Sequence, residues 1–311
     1  MERLSQGSYL KLSAVDWRER VDFFAAHFSP CRICPRQCRA ERSADRSGTC
    51  KARKEVKIAS HNLHFGEEPP ISGKRGSGTV FFSGCTLNCL FCQNYPISQL
   101  FHGEFYSIEQ LSGIFLGLQK RGAHNINLVS PTPYLFHILS ALETACAQGL
   151  HIPLVYNTSG YERAELMAGL SDIVDIYLPD LKYGPSKGSQ QLGMRLSGVA
   201  DYHVHAVSAI AEMFRQAGPL HVDDDGIALR GTIIRHLIIP GQTANSIDAL
   251  RTIAAASFRS VWLSLMSQYF PAHRAPDCPP FDRRLRVEEW RQVRDEALRL
   301  GLEKGWFQEL D

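Results

Sequence analysis

The apolar, strand-like run Thr79 to Phe82 passes without a linker into Gly84-Cys85-Thr86-Leu87-Asn88-Cys89-Leu90-Phe91-Cys92-Gln93-Asn94. Three cysteines at C-x3-C-x2-C spacing can place three thiolates around one corner of an iron–sulfur cubane and leave the fourth iron without a protein ligand. A structural zinc site needs four ligands, and no fourth cysteine or histidine lies nearby in sequence. The spacing therefore points to an iron–sulfur cluster with an open coordination position.

The aromatic residue before the third cysteine, Phe91, completes a motif that resembles the signature of the radical S-adenosylmethionine superfamily. Gln93-Asn94-Tyr95-Pro96-Ile97-Ser98, Asn157-Thr158-Ser159-Gly160-Tyr161 and Asp180-Leu181-Lys182 are similar to the branch that contains the pyruvate formate-lyase activating enzyme. The likeness is greatest to relatives with a cysteine-rich N-terminal segment and a stretch like His64-Phe65-Gly66-Glu67-Glu68-Pro69-Pro70, and it spans roughly residues 31 to 306. It implies a [4Fe-4S] cluster on Cys85, Cys89 and Cys92, whose open iron chelates the amino and carboxylate groups of S-adenosylmethionine beside a one-electron donor.

With 311 residues, 44% hydrophobic and 21% charged, the chain reads as a globular protein large enough to need no disulfides. Seven of its nine cysteines fall between Cys31 and Cys92, a distribution that indicates metal ligation in a reducing compartment. Met1 to Leu12 has no apolar signal core, and no run of about 18 apolar residues occurs. A cytoplasmic location is expected. The formal net charge of +2 gives no reason to propose a nucleic-acid or membrane partner.

Cys31, Cys34, Cys38 and Cys50 form a second set, C-x2-C-x3-C-x11-C, suited to bring four sulfurs to one metal centre. A structural zinc site and an auxiliary iron–sulfur cluster fit these ligands equally, with unligated core thiols as the bland alternative. From Cys31 to Lys57 nine Lys or Arg stand against three acids. Such cations either offset thiolate charge and solvate a loop, or form a docking face for an acidic flavodoxin- or ferredoxin-type electron donor.

Beyond Cys92, strand and helix signals alternate. The expected strands are Thr79–Ser83, Ile126–Ser130, Leu154–Thr158, Ile173–Leu178, Thr232–Ile239 and Ser260–Ser267. Between them lie helical patterns at Ile108–Arg121, capped by Ser107 and Gln110, at Tyr134–Ala147 and at Tyr202–Ala217. Strands alternating with helices predict right-handed crossovers and a parallel sheet. The expected fold is an α/β, incomplete parallel (β/α)6 barrel of the radical S-adenosylmethionine type over residues 76–311. An N-terminal helix and cysteine-rich metal-binding segment would occupy 1–75. Pro69-Pro70 is expected to forbid a helix, and the segment around Glu67 and Glu68 to fold over the active site. Asp223 to Asp225 reads as turn chemistry.

In parallel barrels functional groups gather at the C-terminal strand ends, and polar or turn-forming residues sit at that end of all six expected strands. Asn157 and Ser159 serve either the cofactor's ribose or carboxylate or a helix N-cap. Asp180 and Lys182 resemble the activating enzyme's Asp-Leu-Lys motif, whose lysine reaches the cofactor; an exposed ion pair is the alternative. Arg235, inside an apolar strand, needs a carboxylate partner. Many superfamily members carry Gly-Gly-Glu-Pro after the second strand, where this chain has Ser130-Pro131-Thr132-Pro133. No carboxylate is available in that stretch, so backbone carbonyls or hydroxyls such as those of Ser130 and Thr132 are expected to receive the cofactor's amino group. The resemblance implies reductive cleavage to a 5'-deoxyadenosyl radical and hydrogen abstraction, either from a glycine of a partner enzyme or from a small molecule or peptide. An electron-transfer or metal-binding protein on a barrel without catalysis is the alternative.

Overall fold

A computed structural model of the chain describes residues 6–310, and the first five residues of the stretch Met1 to Leu12, read above as lacking a signal core, lie outside them. The described strands are β1 (Val56–His64), β2 (Ser77–Phe82), β3 (Glu104–Tyr106), β4 (Ile126–Val129), β5 (Leu154–Thr158), β6 (Ile176–Pro179), β7 (His221–Val222), β8 (Ala228–Leu237), β9 (Trp262–Met266) and β10 (Gly305–Phe307). They form a sheet in the order β10-β9-β8-β6-β5-β4-β2-β1-β3, with β7 paired to β8 off this path. The six expected strands are β2, β4, β5, β6, β8 and β9. Each is hydrogen-bonded in parallel to the next. The path ends at β3 on one side and β10 on the other, so the barrel is incomplete, as expected.

The described α-helices are α1 (Ala14–Phe28), α2 (Pro69–Ser72), α3 (Tyr95–Ser98), α4 (Ile108–Lys120), α5 (Leu135–Ala147), α6 (Ala164–Ala168), α7 (Lys187–Ser197), α8 (Tyr202–Ala217), α9 (Thr243–Ala255) and α10 (Val287–Arg299). The capping box read at Ser107 and Gln110 starts α4. One expectation fails at Pro69-Pro70, where the single turn α2 begins. Prolines at the first helical positions lack only N–H groups that would be unsatisfied anyway, so they open a helix instead of breaking it. At Asp223 turn chemistry holds, since its Oδ1 accepts from the N–H of Asp225 (3.0 Å) and Ile227 (2.8 Å).

Parallel strands covered on both faces must be apolar throughout, and all four residues of β6 are buried. Two large cores lie side by side on one face of the sheet, and a smaller one with Val155, Ile176 and Ile233 lies on the other. One of the large cores joins Tyr9, Trp17, Phe24 and Phe28 of the N-terminal segment to Val80, Phe82, Leu128 and Leu139. Burying each such side chain contributes roughly 1.5–3 kcal/mol. The other packs Leu87, Leu90 and Phe91 of the cysteine loop against Tyr183, Leu196 and Ile238. β1, from the segment read as 1–75, pairs antiparallel with β2, His61 opposite Val80.

Candidate active site

Gly84, two residues beyond β2, has φ +90°, and a Cβ there would strike the carbonyl oxygen of Cys50. That approach and the left-handed backbone both call for glycine. The loop beyond it is pinned from two sides. Asn88 and Leu90 donate their N–H to Ser197 (3.1 Å) and Leu196 (2.8 Å) carbonyls, and Arg274 donates to that of Leu90 (2.9 Å). The sulfurs have partners of their own. Cys85 Sγ accepts from the Leu87 N–H (3.4 Å), Cys89 Sγ lies 3.0 Å from Ser197 Oγ, and Cys92 Sγ lies 3.2 Å from Ser98 Oγ.

Burial raises the Cys85 thiol well above its ordinary range and pushes that of Cys89 up to about 11, although Lys182 pulls Cys89 the other way. Thiolates would form here only around a cationic centre. Three thiols with a hydroxyl or amide neighbour each suit a thiolate-bound metal centre. Among the described residues no three His, Cys, Asp or Glu side chains close on a point for a single metal ion. The C-x3-C-x2-C spacing is what suits a cluster, in which each thiolate would bind a different iron.

Next to these cysteines runs a chain of buried charge. Lys182 donates to Asp180 Oδ2, Arg235 Nε donates to Asp180 Oδ1 (2.8 Å), and Arg235 Nη2 donates to Asn157 Oδ1 (2.7 Å). Against the opposing pull of burial, Arg235 and then Lys182 hold the Asp180 carboxyl below its usual value. Burial likewise works against the Lys182 ammonium, but Asp180 and then Cys89 raise its pKa, so it is firmly charged. The pair is therefore not an exposed one. Asn157 caps no helix; it bridges Arg235 and Glu67. Ser130 has left-handed backbone, φ +57°, and donates its N–H to the Asn157 carbonyl (2.9 Å). The Ser159 carbonyl accepts from the Tyr202 hydroxyl (2.7 Å). Neither serine side chain joins the charged network.

Two carboxylates had no role in the sequence reading of this network. Glu67 accepts from Asn127 Nδ2 (3.1 Å) and Asn157 Nδ2 (3.3 Å) and lies 3.5 Å from Arg235 Nη1. Its segment does not fold over the mouth. Because β1 runs antiparallel to β2 and His64 faces Ser77, the connection lies at the N-terminal strand ends, and Glu67 reaches the interior from the floor. Glu162, completely buried, accepts from the Thr132 and Thr158 hydroxyls, and burial pushes its carboxyl up to about 7. The Ser130–Pro133 stretch thus has a carboxylate against it, contributed from beyond β5. Only its proximity to Gly160-Tyr161 in sequence hinted at this.

A family model described as the Radical SAM superfamily matches residues 79–253. The chain belongs to the radical SAM superfamily. Protein MJ0674 of Methanocaldococcus jannaschii, described as uncharacterized, is 30% identical over 290 residues, covering 90% of this chain and 77% of that one. Among solved structures, native anSMEcpe with bound AdoMet and a Cp18Cys peptide aligns with TM-score 0.48 and 11% identity, over 70% of this chain and 56% of that chain. Streptococcus suis SuiB aligns with TM-score 0.42 and 12% identity, over 72% and 44%. The radical SAM chain described here therefore spans about half the length of these solved proteins. Membership implies a [4Fe-4S] cluster, S-adenosylmethionine and radical chemistry. Among the described residues no helix is long and apolar enough to cross a membrane.

The second cysteine set lies against this radical SAM loop. Cys31, Cys34, Cys38 and Cys50 all line one cavity, together with Thr86 of the loop and Pro133. The Arg36 guanidinium ties the two segments, donating to the Thr86 carbonyl (2.6 Å) and the Gly198 carbonyl (3.2 Å).

Proposed function

We propose that Cys85, Cys89 and Cys92 hold the [4Fe-4S] cluster and that Asp180, Lys182, Arg235 and Asn157 position S-adenosylmethionine beside it. When bound, the cluster supplies one electron to the sulfonium, breaking a carbon–sulfur bond to give methionine and a 5'-deoxyadenosyl radical that takes hydrogen from the substrate. The observation that supports this reading most is Lys182, whose ammonium is paired with Asp180 and favours the thiolate of Cys89, so that the charge network couples to the thiols. Asp180 fixes both Lys182 and Arg235 in place and leaves their remaining N–H groups to orient an anionic ligand group. The buried Leu87, Leu90 and Phe91 cover the protein side of the loop, where Cys89 is buried, while Cys85 and Cys92 stay partly exposed. The electron comes from a flavodoxin- or ferredoxin-type protein, for which the basic N-terminal segment is suited.

Anaerobically reconstituted protein, reduced in the presence of S-adenosylmethionine, should release methionine and 5'-deoxyadenosine in equal amounts. Cys89→Ala should release neither. A wild-type protein that holds a reduced cluster and still cleaves nothing would favour the electron-transfer alternative. Deuterium transfer into 5'-deoxyadenosine then separates the acceptors. Label arriving from a partner's glycine marks a glycyl radical enzyme activase, and label arriving from a small molecule or peptide marks an enzyme acting on that substrate directly.

A further inference from the structure

We propose that Cys31, Cys34, Cys38 and Cys50 hold a second iron–sulfur cluster, through which the electron enters the catalytic one. Only the electron's destination rests on the function proposed above; the site itself stands on its own residues.

The four sulfurs share one cavity, and the same local device that serves Cys85 recurs around them. The backbone N–H two residues ahead favours the thiolate of Cys31 (Ile33), Cys34 (Arg36) and Cys50 (Ala52), the position from which Leu87 donates to Cys85. Gly48 stands where any Cβ would collide with Cys38 Sγ. Amides aimed at sulfur stabilise thiolates, which core thiols do not need.

Charge argues the same way. Arg42 is 1% exposed, its guanidinium donates to the carbonyls of Arg53 (3.1 and 2.9 Å) and Pro133, and it lies 4.4 Å over the Phe28 ring. Among the described residues it has no carboxylate partner. A buried cation without an anion is costly, and the groups beside it able to carry negative charge are Cys31 and Cys50. A metal centre held by four thiolates is anionic and completes this pair.

Position favours iron–sulfur over zinc, because a redox-active centre beside the catalytic loop can pass an electron to it and zinc, which has no redox chemistry, cannot. The two sites also share a wall, with the Cys50 carbonyl against Gly84 and Thr86 lining the N-terminal cavity. In the relay a low-potential protein donor is oxidised by one electron. The N-terminal cluster is reduced, then reoxidised as the catalytic cluster takes the electron, and no proton or atom moves.

The test is metal and sulfide analysis of the full chain carrying Cys85→Ala, Cys89→Ala and Cys92→Ala, reconstituted anaerobically with iron, sulfide and zinc together. The expected result is iron with matching acid-labile sulfide, about four of each per chain for a cubane, and a reduced-state paramagnetic signal unchanged by S-adenosylmethionine. One zinc without iron, or no metal, overturns the site. In wild-type protein mixed with reduced flavodoxin and freeze-quenched, the cofactor-insensitive signal should rise before the cofactor-sensitive one. The reverse order overturns the relay. If wild type cleaves no S-adenosylmethionine while the triple variant holds iron and sulfide, the function proposed above fails and this site survives.

Discussion

Asp180 neutralises two buried cations at once, since one carboxylate oxygen serves Lys182 and the other Arg235. In Asp180→Asn the amide keeps the shape but not the charge. Glu67, 3.5 Å from Arg235, is then the nearest compensating carboxylate, and none is left for Lys182. Breaking a buried ion pair from one side costs about 3–5 kcal/mol, so urea unfolding should show a loss of that order. A loss below about 1 kcal/mol would mean that Glu67 or water takes over the role. The sequence made Asp180, Lys182 and Arg235 legible because a short motif and an arginine inside an apolar strand are local signals. Glu67 and Arg42 were not legible in their roles. Each draws its meaning from partners far along the chain, Asn157 for one and Pro133 for the other, and no periodicity encodes such pairings.

At the scale of elements, the six parallel strands and the long helices followed from hydrophobic period, which reports a strand's buried faces directly. Period does not report which end of a strand a connection occupies, and for that reason the Glu67 segment was expected at the mouth and lies at the floor. β3 and β10, three residues each, are too short to leave a pattern. The elements also carry a pH dependence. His137 on α5 faces the Lys54 carbonyl (2.7 Å) and His236 on β8 the Leu181 carbonyl (2.6 Å); burial pushes each down to about 4 from an ordinary 6.5. The unfolded chain therefore binds these protons first. Stability present above pH 6.5 is lost as pH falls toward 4, by about 2 kcal/mol per histidine at pH 5. His236→Gln keeps an N–H donor for Leu181 but cannot titrate. Its stability deficit relative to wild type should shrink by about that amount between pH 7 and pH 5, whereas a constant deficit would locate the acid sensitivity elsewhere.

The whole molecule carries a formal charge of only +2, so the excess of cations between Cys31 and Lys57 is a local field. The structure divides that excess in two. Arg42 is buried, Arg36 binds backbone carbonyls, Lys51 donates to the Gln99 carbonyl (2.7 Å), and Lys57 lies over Phe101 and Phe105. Arg39, Arg46 and Lys54 are exposed and, among the described residues, have neither an ion-pair partner nor a side-chain hydrogen bond. The first four serve the loop itself, and the exposed three are the ones that a docking face would use. Free cations next to the proposed entry site should steer an acidic donor. Arg39→Glu, Arg46→Glu and Lys54→Glu together should slow reduction by flavodoxin by roughly tenfold or more at low salt. The gap should narrow as ionic strength rises from about 0.01 to 0.15 M, because the screening length contracts from about 30 to 8 Å. Reduction by dithionite, a small reductant that needs no protein docking face, supplies the control and should fall far less. If both reductants slow equally, the substitutions have damaged the cluster site; if flavodoxin is unaffected, the donor docks on another face and the exposed cations only solvate the loop.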